Sequence, residues 1–391
     1  MKIRITRKDL FTGLQQVHGV VEKRNTMPIL SHVLISAEAP IMTDADNEHT
    51  HTPQTISLFA TDLEIGIRDH YPAAVITPGK VTVPANKFFE IVRKLPDGMI
   101  DIEQLDNHWI SIESGNSYFK MAGLSPEEFP ALAISEGDIT ITVDTILLSK
   151  MIRKTLFAIG ENDSRYILNG ILLQIQKITD VKSQLRFVAT DGHRLALTDG
   201  VIKRTTEKLL EEQVTVPKKA ILEIKRILAD IKSDESKEEP TITFGKGLLT
   251  FKYKTTILTS RLMNGNYPNY QQVIPTHNDK HIIVNKFALT GGLERVSILS
   301  QEKADTIKMS VEKGQIVLSS QNPELGEARE VIDTSFAGEP FETLFSARYL
   351  MDLLSVLDEE HVTFEFKEAT SSCLIREDAG KFLSIIMPLK E

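Results

Sequence analysis

Within VATDGHRLALT, Val188 to Thr198, a hydroxyl, a carboxylate, an imidazole and a guanidinium stand at Thr190, Asp191, His193 and Arg194. Two chemistries suit that set. In one, His193 is a general base oriented by Asp191 while Arg194 holds an anion, the core of a hydrolase. In the other, the group is the polar wall of a binding pocket. The second is favoured, because no nucleophile motif, glycine-rich phosphate loop or metal-ligand spacing accompanies the set. Asp191-Gly192 also has a structural reason to be there, since an Asp-Gly pair accepts the positive φ values of a two-residue hairpin turn and β-rich runs flank it. Thr190 and His193 to Leu195 are therefore expected around a tight hairpin corner. The opposite wall is expected from the terminal run IIMPLKE, whose apolar residues Ile385 to Leu389 are hard to explain on a free tail.

The elements that position this corner recur three times. A strand opening into a turn reads FATDLEIGI from Phe59, VATDGHRLALT from Val188 and LSSQNPELGEA from Leu318. The spacing is about 130 residues, the size of a domain rather than of a solenoid repeat. A second landmark keeps step with it: VPANKFFEIVRKL from Val83, VPKKAILEIKRIL from Val216 and FSARYLMDLLSVL from Phe345. Its apolar residues recur at helical intervals, as in Phe88, Ile91, Val92 and Leu95, or Ile221, Ile224, Leu228 and Ile231. Each round opens with a short strand and an amphipathic helix and continues through strands such as Pro28 to Ala37, Tyr166 to Ile175 and Thr306 to Glu312. Each closes with hairpin-like segments at Ile100 to Leu124, Thr241 to Leu262 and Val362 to Leu389. The pattern predicts an α+β chain of three similar domains, at 1–132, 133–270 and 271–391. Two stretches fall outside it as polar loops, Pro40 to Thr55 and Lys232 to Pro240. Asp44, Asp46, His49 and His51 resemble metal ligands, but a flexible loop lacks the outer hydrogen bonds a working site needs, so no metal is expected.

Charge is distributed unevenly. The 391 residues carry a net charge of -9, with 41% hydrophobic and 25% charged residues, which taken whole disfavours a nucleic-acid partner. The helical segments run the other way. Residues 7–24 hold Arg7, Lys8, Lys23 and Arg24 against Asp9 and Glu22, and residues 149–159 hold Lys150, Arg153 and Lys154 with no acid among them. Residues 218–232 hold Lys218, Lys219, Lys225, Arg226 and Lys232 against Glu223 and Asp230. A solvated face explains any one helix. The segregated set points to a basic face on an acidic protein, suited to sequence-independent phosphate contact.

A single cysteine, Cys373, excludes an internal disulfide framework and fits a reducing compartment. The opening MKIRITRKDL lacks the apolar core of a signal peptide, and no apolar run reaches bilayer-spanning length, so a cytoplasmic protein without a membrane partner is expected.

Over nearly its whole length the sequence resembles the bacterial sliding clamp family, the β subunit of DNA polymerase III. TMPIL at Thr26, FATDLE at Phe59, VPANKFFEIVRKLP at Val83, RYILNGILL at Arg165, VATDGHRLA at Val188, NYPNYQQVIP at Asn266 and IIMPL at Ile385 carry the resemblance. It implies a fold of three clamp domains and a head-to-tail homodimeric ring, with helices lining a channel and sheets outside. It further implies a processivity factor without enzymatic activity or cofactor, encircling double-stranded DNA. The partners implied are the polymerase III alpha subunit, the clamp loader, and other polymerases and repair proteins, each carrying a short linear motif. A paralogue specialised for repair or a mobile element fits the same features.

Transferred to this numbering, the resemblance places the motif pocket at Arg165, Leu168, Thr190, Gly192, His193, Arg194, Leu195, Pro268, Val273, Tyr349, Ser372, Met387 and Pro388. It gives Arg24, Lys87, Arg93, Lys218 and Lys219 as DNA-facing residues. It places the ring seam at Phe119, on an edge strand, against Ile298 and Leu299 of the other protomer; the alternation in SYFKM also allows Phe119 as core. Ile167, Gln272 and the Lys390-Glu391 ending depart from the common pattern, at positions expected to tune peptide preference.

Overall fold

Six helices occur among the described residues, and most begin where the chain supplies a cap. Thr6 accepts a hydrogen bond from the Asp9 amide at the start of α1, Arg7–His18. Pro84 precedes α2, Ala85–Lys94, where its missing N–H costs nothing. After α3, Thr145–Leu156, the same arrangement recurs with Pro217 before α4, Lys218–Ala229. Asn285 and Ser346 cap α5, Lys286–Ser297, and α6, Ala347–Leu354, through their side chains. The structure is a computed structural model and describes residues 1–21, 27–38, 54–135, 139–161, 163–179, 182–204, 212–229, 238–300 and 305–389. Arg24, the ligand-like residues of Pro40 to Thr55, and most of Lys232 to Pro240 lie outside them.

The chain forms two compact units, one mainly of Met1–Thr145 and Leu222–Leu262, the other of Ile146–Arg204, Leu209–Ile221 and Met263–Glu391. In the first, one sheet is ordered Ala74–Thr77, Lys2–Thr6, Met99–Gln104, Trp109–Ser114, Ser117–Ala122. A second runs from Thr241–Gly245 through Leu248–Tyr253, Thr256–Arg261, Ile65–Pro72, Thr55–Thr61 and His32–Ala37 to Gly79–Pro84. Helix α1 buries Leu10, Gly13, Leu14 and Val17, a stripe at i, i+3, i+4 and i+7. Gly13 allows the close approach: a Cβ there would stand 2.5 Å from Leu58 and 2.6 Å from Tyr71. Beside it, α2 buries Phe88 and Val92 completely, each contributing about 1.5–3 kcal/mol, and Phe89 stacks on Phe11 at 5.3 Å.

In the second unit one sheet is ordered Lys280–Asn285, His361–Phe366, Cys373–Glu377, Phe382–Ile386, Arg194–Arg204, Lys182–Thr190, Gly170–Lys177, Glu212–Pro217. The other is ordered Gly326–Asp333, Gln315–Asn322, Thr306–Glu312, Phe341–Ser346, with α5 packed against its first two strands. The strand expected at Thr306 to Glu312 is present. Those expected from Pro28 and Tyr166 start later, because Pro28–Ser31 and Tyr166–Leu168 form 3-10 turns before His32 and Gly170.

Candidate functional site

The corner is wider than the Asp-Gly signal implies. Thr190 pairs with Leu195, so Asp191 to Arg194 make the turn, and of these Gly192 alone has positive φ, at 88°. Asp191 serves the turn with its side chain: Oδ1 accepts from the amides of His193 at 2.9 Å and Arg194 at 3.0 Å. Thr190 Oγ1 accepts from the Gly192 amide at 3.1 Å and donates to the Arg194 carbonyl at 2.7 Å. That positive φ is what favours glycine at 192, and the Arg165 guanidinium lies close over it, 2.5 Å from where a Cβ would stand. That guanidinium donates to the Asp191 carbonyl at 3.0 Å and forks onto Asp163 at 3.0 and 2.8 Å. Those hydrogen bonds hold the Asp163 carboxyl down at about 2.

Arg194 is 7% exposed and fully engaged. Its Nε donates to Asp191 at 3.0 Å and its Nη1 to Asp352 at 2.7 Å, while the guanidinium lies 4.3 Å from the Tyr349 ring centroid and 5.4 Å from that of Phe157. The His193 ring stacks on Tyr349 at 6.4 Å. A hydrolytic pair would need the Asp191 carboxylate on the imidazole; its oxygens instead take two amides and Arg194. Asp191 therefore braces the turn and Arg194, not the imidazole.

The C-terminal run lies directly alongside the corner. Phe382–Ile386 pairs with residues 194–198, Ser384 Oγ donates to the Leu195 carbonyl at 2.9 Å, and the Met387 amide donates to the His193 carbonyl at 2.9 Å. Leu195 and Ile385 join Leu172, Val188, Leu374 and Tyr270 in a buried floor. Tyr267 packs against that floor, and burial pushes its phenol well above its ordinary value.

Of the thirteen residues expected in one pocket, Arg165, Thr190, Gly192, His193, Arg194, Tyr349 and Met387 form this connected corner. Leu168 and Leu195 are closed off, at 1% and 2% exposure, whereas Pro268 and Val273 are exposed. Ser372, Met387 and Pro388 line a cavity of about 570 Å³ with Lys308, Glu342, Thr343, Leu344 and Leu389, which Arg165, Thr190 and His193 do not line. Sequence reasoning missed Asp352, Phe157 and Asp163. Asp352 carried a signal, being one helical turn from Tyr349 on the same face of α6.

The helix charges are less free than their count suggests. Lys150 pairs with Asp378 at 3.0 Å and Arg153 with Asp358 at 2.7 Å. Lys154 is completely buried, paired with Glu377 and with Asp358 at 3.2 Å, beneath the Phe382 ring at 4.8 Å. The acids that answer these three cations lie more than two hundred residues along the chain, which corrects the reading of α3 as unopposed. Lys87 pairs with Glu90 at 2.9 Å and Lys218 with Glu161 at 2.6 Å; Lys219 is half-buried, and Arg93 is exposed over Phe89 at 5.9 Å.

At the expected seam, Ser117–Ala122 is an outer strand of its sheet and Phe119 is 36% exposed, so it is not core. Ile298 is 74% exposed just beyond α5, and Leu299 is half-buried. In the same unit as these two, Gly326–Asp333 is also an outer strand, and Glu330 is clamped by Arg295 at 2.6 and 3.2 Å. Among the described residues no cluster of three or more His, Cys, Asp or Glu fits a metal ion, and no helix is long and apolar enough to cross a membrane.

Models of the DNA polymerase III beta subunit match along the chain: the N-terminal domain at residues 1–133, the central domain at 142–269 and the C-terminal domain at 271–390. A beta sliding clamp of Caulobacter vibrioides is 34% identical over 395 residues, covering 100% of both chains. The crystal structure of the DNA polymerase III subunit beta from Pseudomonas aeruginosa superposes with a TM-score of 0.88 at 32% identity, and that of a sliding clamp from Bartonella birtlesii bound to griselimycin with 0.90 at 33%, each covering 100% of both chains. Built of three clamp domains and matched from end to end by full-length clamps, the chain belongs to the DNA polymerase III beta subunit family, the bacterial sliding clamps.

Proposed function

We propose that this chain is the sliding clamp of DNA replication: a homodimer that encircles duplex DNA and tethers the replicative polymerase and other proteins to it. The observation that carries this reading is the clasp of the terminal run onto the Asp191 to Arg194 corner, in a chain that matches clamps throughout. Arg165, Thr190, Gly192, His193, Tyr349, Met387 and Pro388 present the surface for a short linear motif, and Val273 and Pro268 border it. Leu168 and Leu195 become accessible only if the floor opens to receive the motif's apolar anchors. Arg194 holds the wall in place and does not itself reach for the ligand. The partners are the polymerase III alpha subunit, the clamp loader, and further polymerases and repair proteins that carry the motif.

The domains fall at 1–132, 133–270 and 271–391. Phe119 of one protomer meets Ile298 and Leu299 of the next, and two outer strands, 117–122 and 326–333, offer the unpaired edges that a head-to-tail contact would complete. Arg24, Lys87, Arg93, Lys218 and Lys219 face DNA through weak, water-mediated phosphate contacts that permit sliding, and the topological link retains the ring. Such a protein works in the cytoplasm without cofactor, metal or catalytic residue. Met387→Ala combined with Pro388→Ala is expected to abolish binding of a fluorescent peptide bearing leucine and phenylalanine anchors while leaving the dimer mass unchanged in sedimentation. Unchanged peptide affinity would refute the assignment of the corner.

A further inference from the structure

The corner is assembled from two lengths of chain. Arg165, Thr190, His193 and Arg194 belong to the central domain, and Tyr349, Asp352 and Met387 to the C-terminal one. Its shape therefore depends on how the two are held together, and α3 holds them at a second point. Lys154 lies on that helix completely buried, its ammonium on Glu377, on Asp358 at 3.2 Å and beneath the Phe382 ring at 4.8 Å. The Glu377 side chain is 4% exposed, and its other oxygen accepts from the amides of Asp358 at 2.6 Å and Glu359 at 2.7 Å. Each partner of this pair leads to the corner. Phe382 begins the strand Phe382–Ile386, which pairs with residues 194–198 and runs on into Met387. Asp358 follows α6, which carries Tyr349 and Asp352. Phe157, three residues beyond Lys154, lies under the Arg194 guanidinium at 5.4 Å.

Stability alone does not account for such a pair. Taking an ammonium and a carboxylate out of water offsets most of their attraction, and well-packed apolar side chains of the same volume commonly hold a core as well or better. What apolar groups do not supply is direction: a slip between two apolar surfaces costs little, whereas a slip that parts Lys154 from Glu377 leaves a buried charge unanswered. We propose that Lys154 and Glu377 are positioning residues for partner binding. The pair fixes α6 and the strand Phe382–Ile386 in one register against α3, so that Tyr349, Met387 and Pro388 meet the corner in the arrangement a motif peptide recognises. This rests on the corner being the motif site. Lys150 and Arg153, paired with Asp378 and Asp358 at the solvent edge of the cluster, are screened by water and add less direction.

The test is the double variant Lys154→Met with Glu377→Gln. Methionine follows the course of the lysine stem, glutamine still accepts from the two amides, and the net charge is unchanged, so a loss of affinity would not be electrostatic. The variant is expected to melt close to or above the parent temperature and to keep the parent's mass in sedimentation. It should nevertheless bind a fluorescent peptide bearing leucine and phenylalanine anchors about three- to tenfold more weakly in an anisotropy titration. Spin labels at Val201→Cys and Ile283→Cys, exposed positions of the central and C-terminal domains, should report a wider distance distribution in the double variant than in the labelled parent; Cys373 is buried and stays unlabelled. Parent affinity in the double variant, or an unchanged distance distribution, would overturn the inference and leave the corner assignment standing. So would a melting temperature well below the parent's, which would mean that the pair holds the fold rather than its register. Failure of the unaltered protein to bind the peptide would refute the corner assignment and the inference with it.

Discussion

Arg194 shows how a residue with the chemistry of a ligand contact can act as architecture. Two carboxylates and two aromatic faces surround its guanidinium, so removing it strands Asp191 and Asp352 together. Arg194→Ala is expected to lower stability by about 2–3 kcal/mol in urea titration, less than a fully buried pair because Asp352 is 36% exposed. Arg194→Lys should recover little of it, since an ammonium cannot fork between two carboxylates or stack between two rings. Asp358 carries a pH dependence of definite sign. Burial pushes its carboxyl up, but hydrogen bonds and charge from Arg153 and Lys154 outweigh that and hold it below its ordinary value of 3.8. A depressed folded value means that its stabilisation is complete above the ordinary value and is lost as pH falls through the folded one. Asp358→Asn should therefore lower stability near neutrality and flatten the acid limb below pH 3.8, with an amplitude reduced by solvent screening because the side chain is 47% exposed. A steeper acid limb would contradict this. At this scale the sequence is legible where a residue acts on near neighbours, as Thr190, Asp191 and Gly192 do in shaping their own turn. It is silent where the partner is remote: nothing around Lys154 announces Glu377 or its complete burial.

Elements were easier to read than residues, because helical and strand periodicities are properties of contiguous sequence. The apolar stripes of α2 and α4, the prolines before them and the strand from Thr306 to Glu312 all follow from local pattern. The starts at Pro28 and Tyr166 did not, since a 3-10 turn and a strand draw on similar residues over so short a span. Charge counting along helices misled for a different reason: a cation's freedom depends on what packs across from it, and all three cations of α3 are answered by acids from the C-terminal quarter of the chain. The outer strand Ser117–Ala122 carries the prediction that belongs to this scale. With Phe119 exposed at its centre, Phe119→Glu should weaken self-association roughly 100-fold in sedimentation equilibrium, the loss expected when one aromatic no longer buries, while monomer stability stays within about 0.5 kcal/mol. A dimer of unaltered affinity would remove this strand from the seam.

For the whole molecule, the three rounds of one pattern identified an architecture that no single motif could, and the three matching domain models follow the same order along the chain. Net charge taken whole points away from nucleic acid, and the proposed ring answers that objection, because a ring would hold DNA by topology and need only locally favourable charge. A topological link also separates this account from an ordinary basic binder, whose affinity falls steeply with salt whatever the shape of the DNA. The most direct test places the protein on a nicked circular plasmid with a clamp loader and ATP, then follows it through gel filtration in high salt before and after a single cut. The protein should travel with the circle and be lost once the DNA is linear. Equal retention on both forms, or release from the circle while the loader turns over ATP, would contradict encirclement.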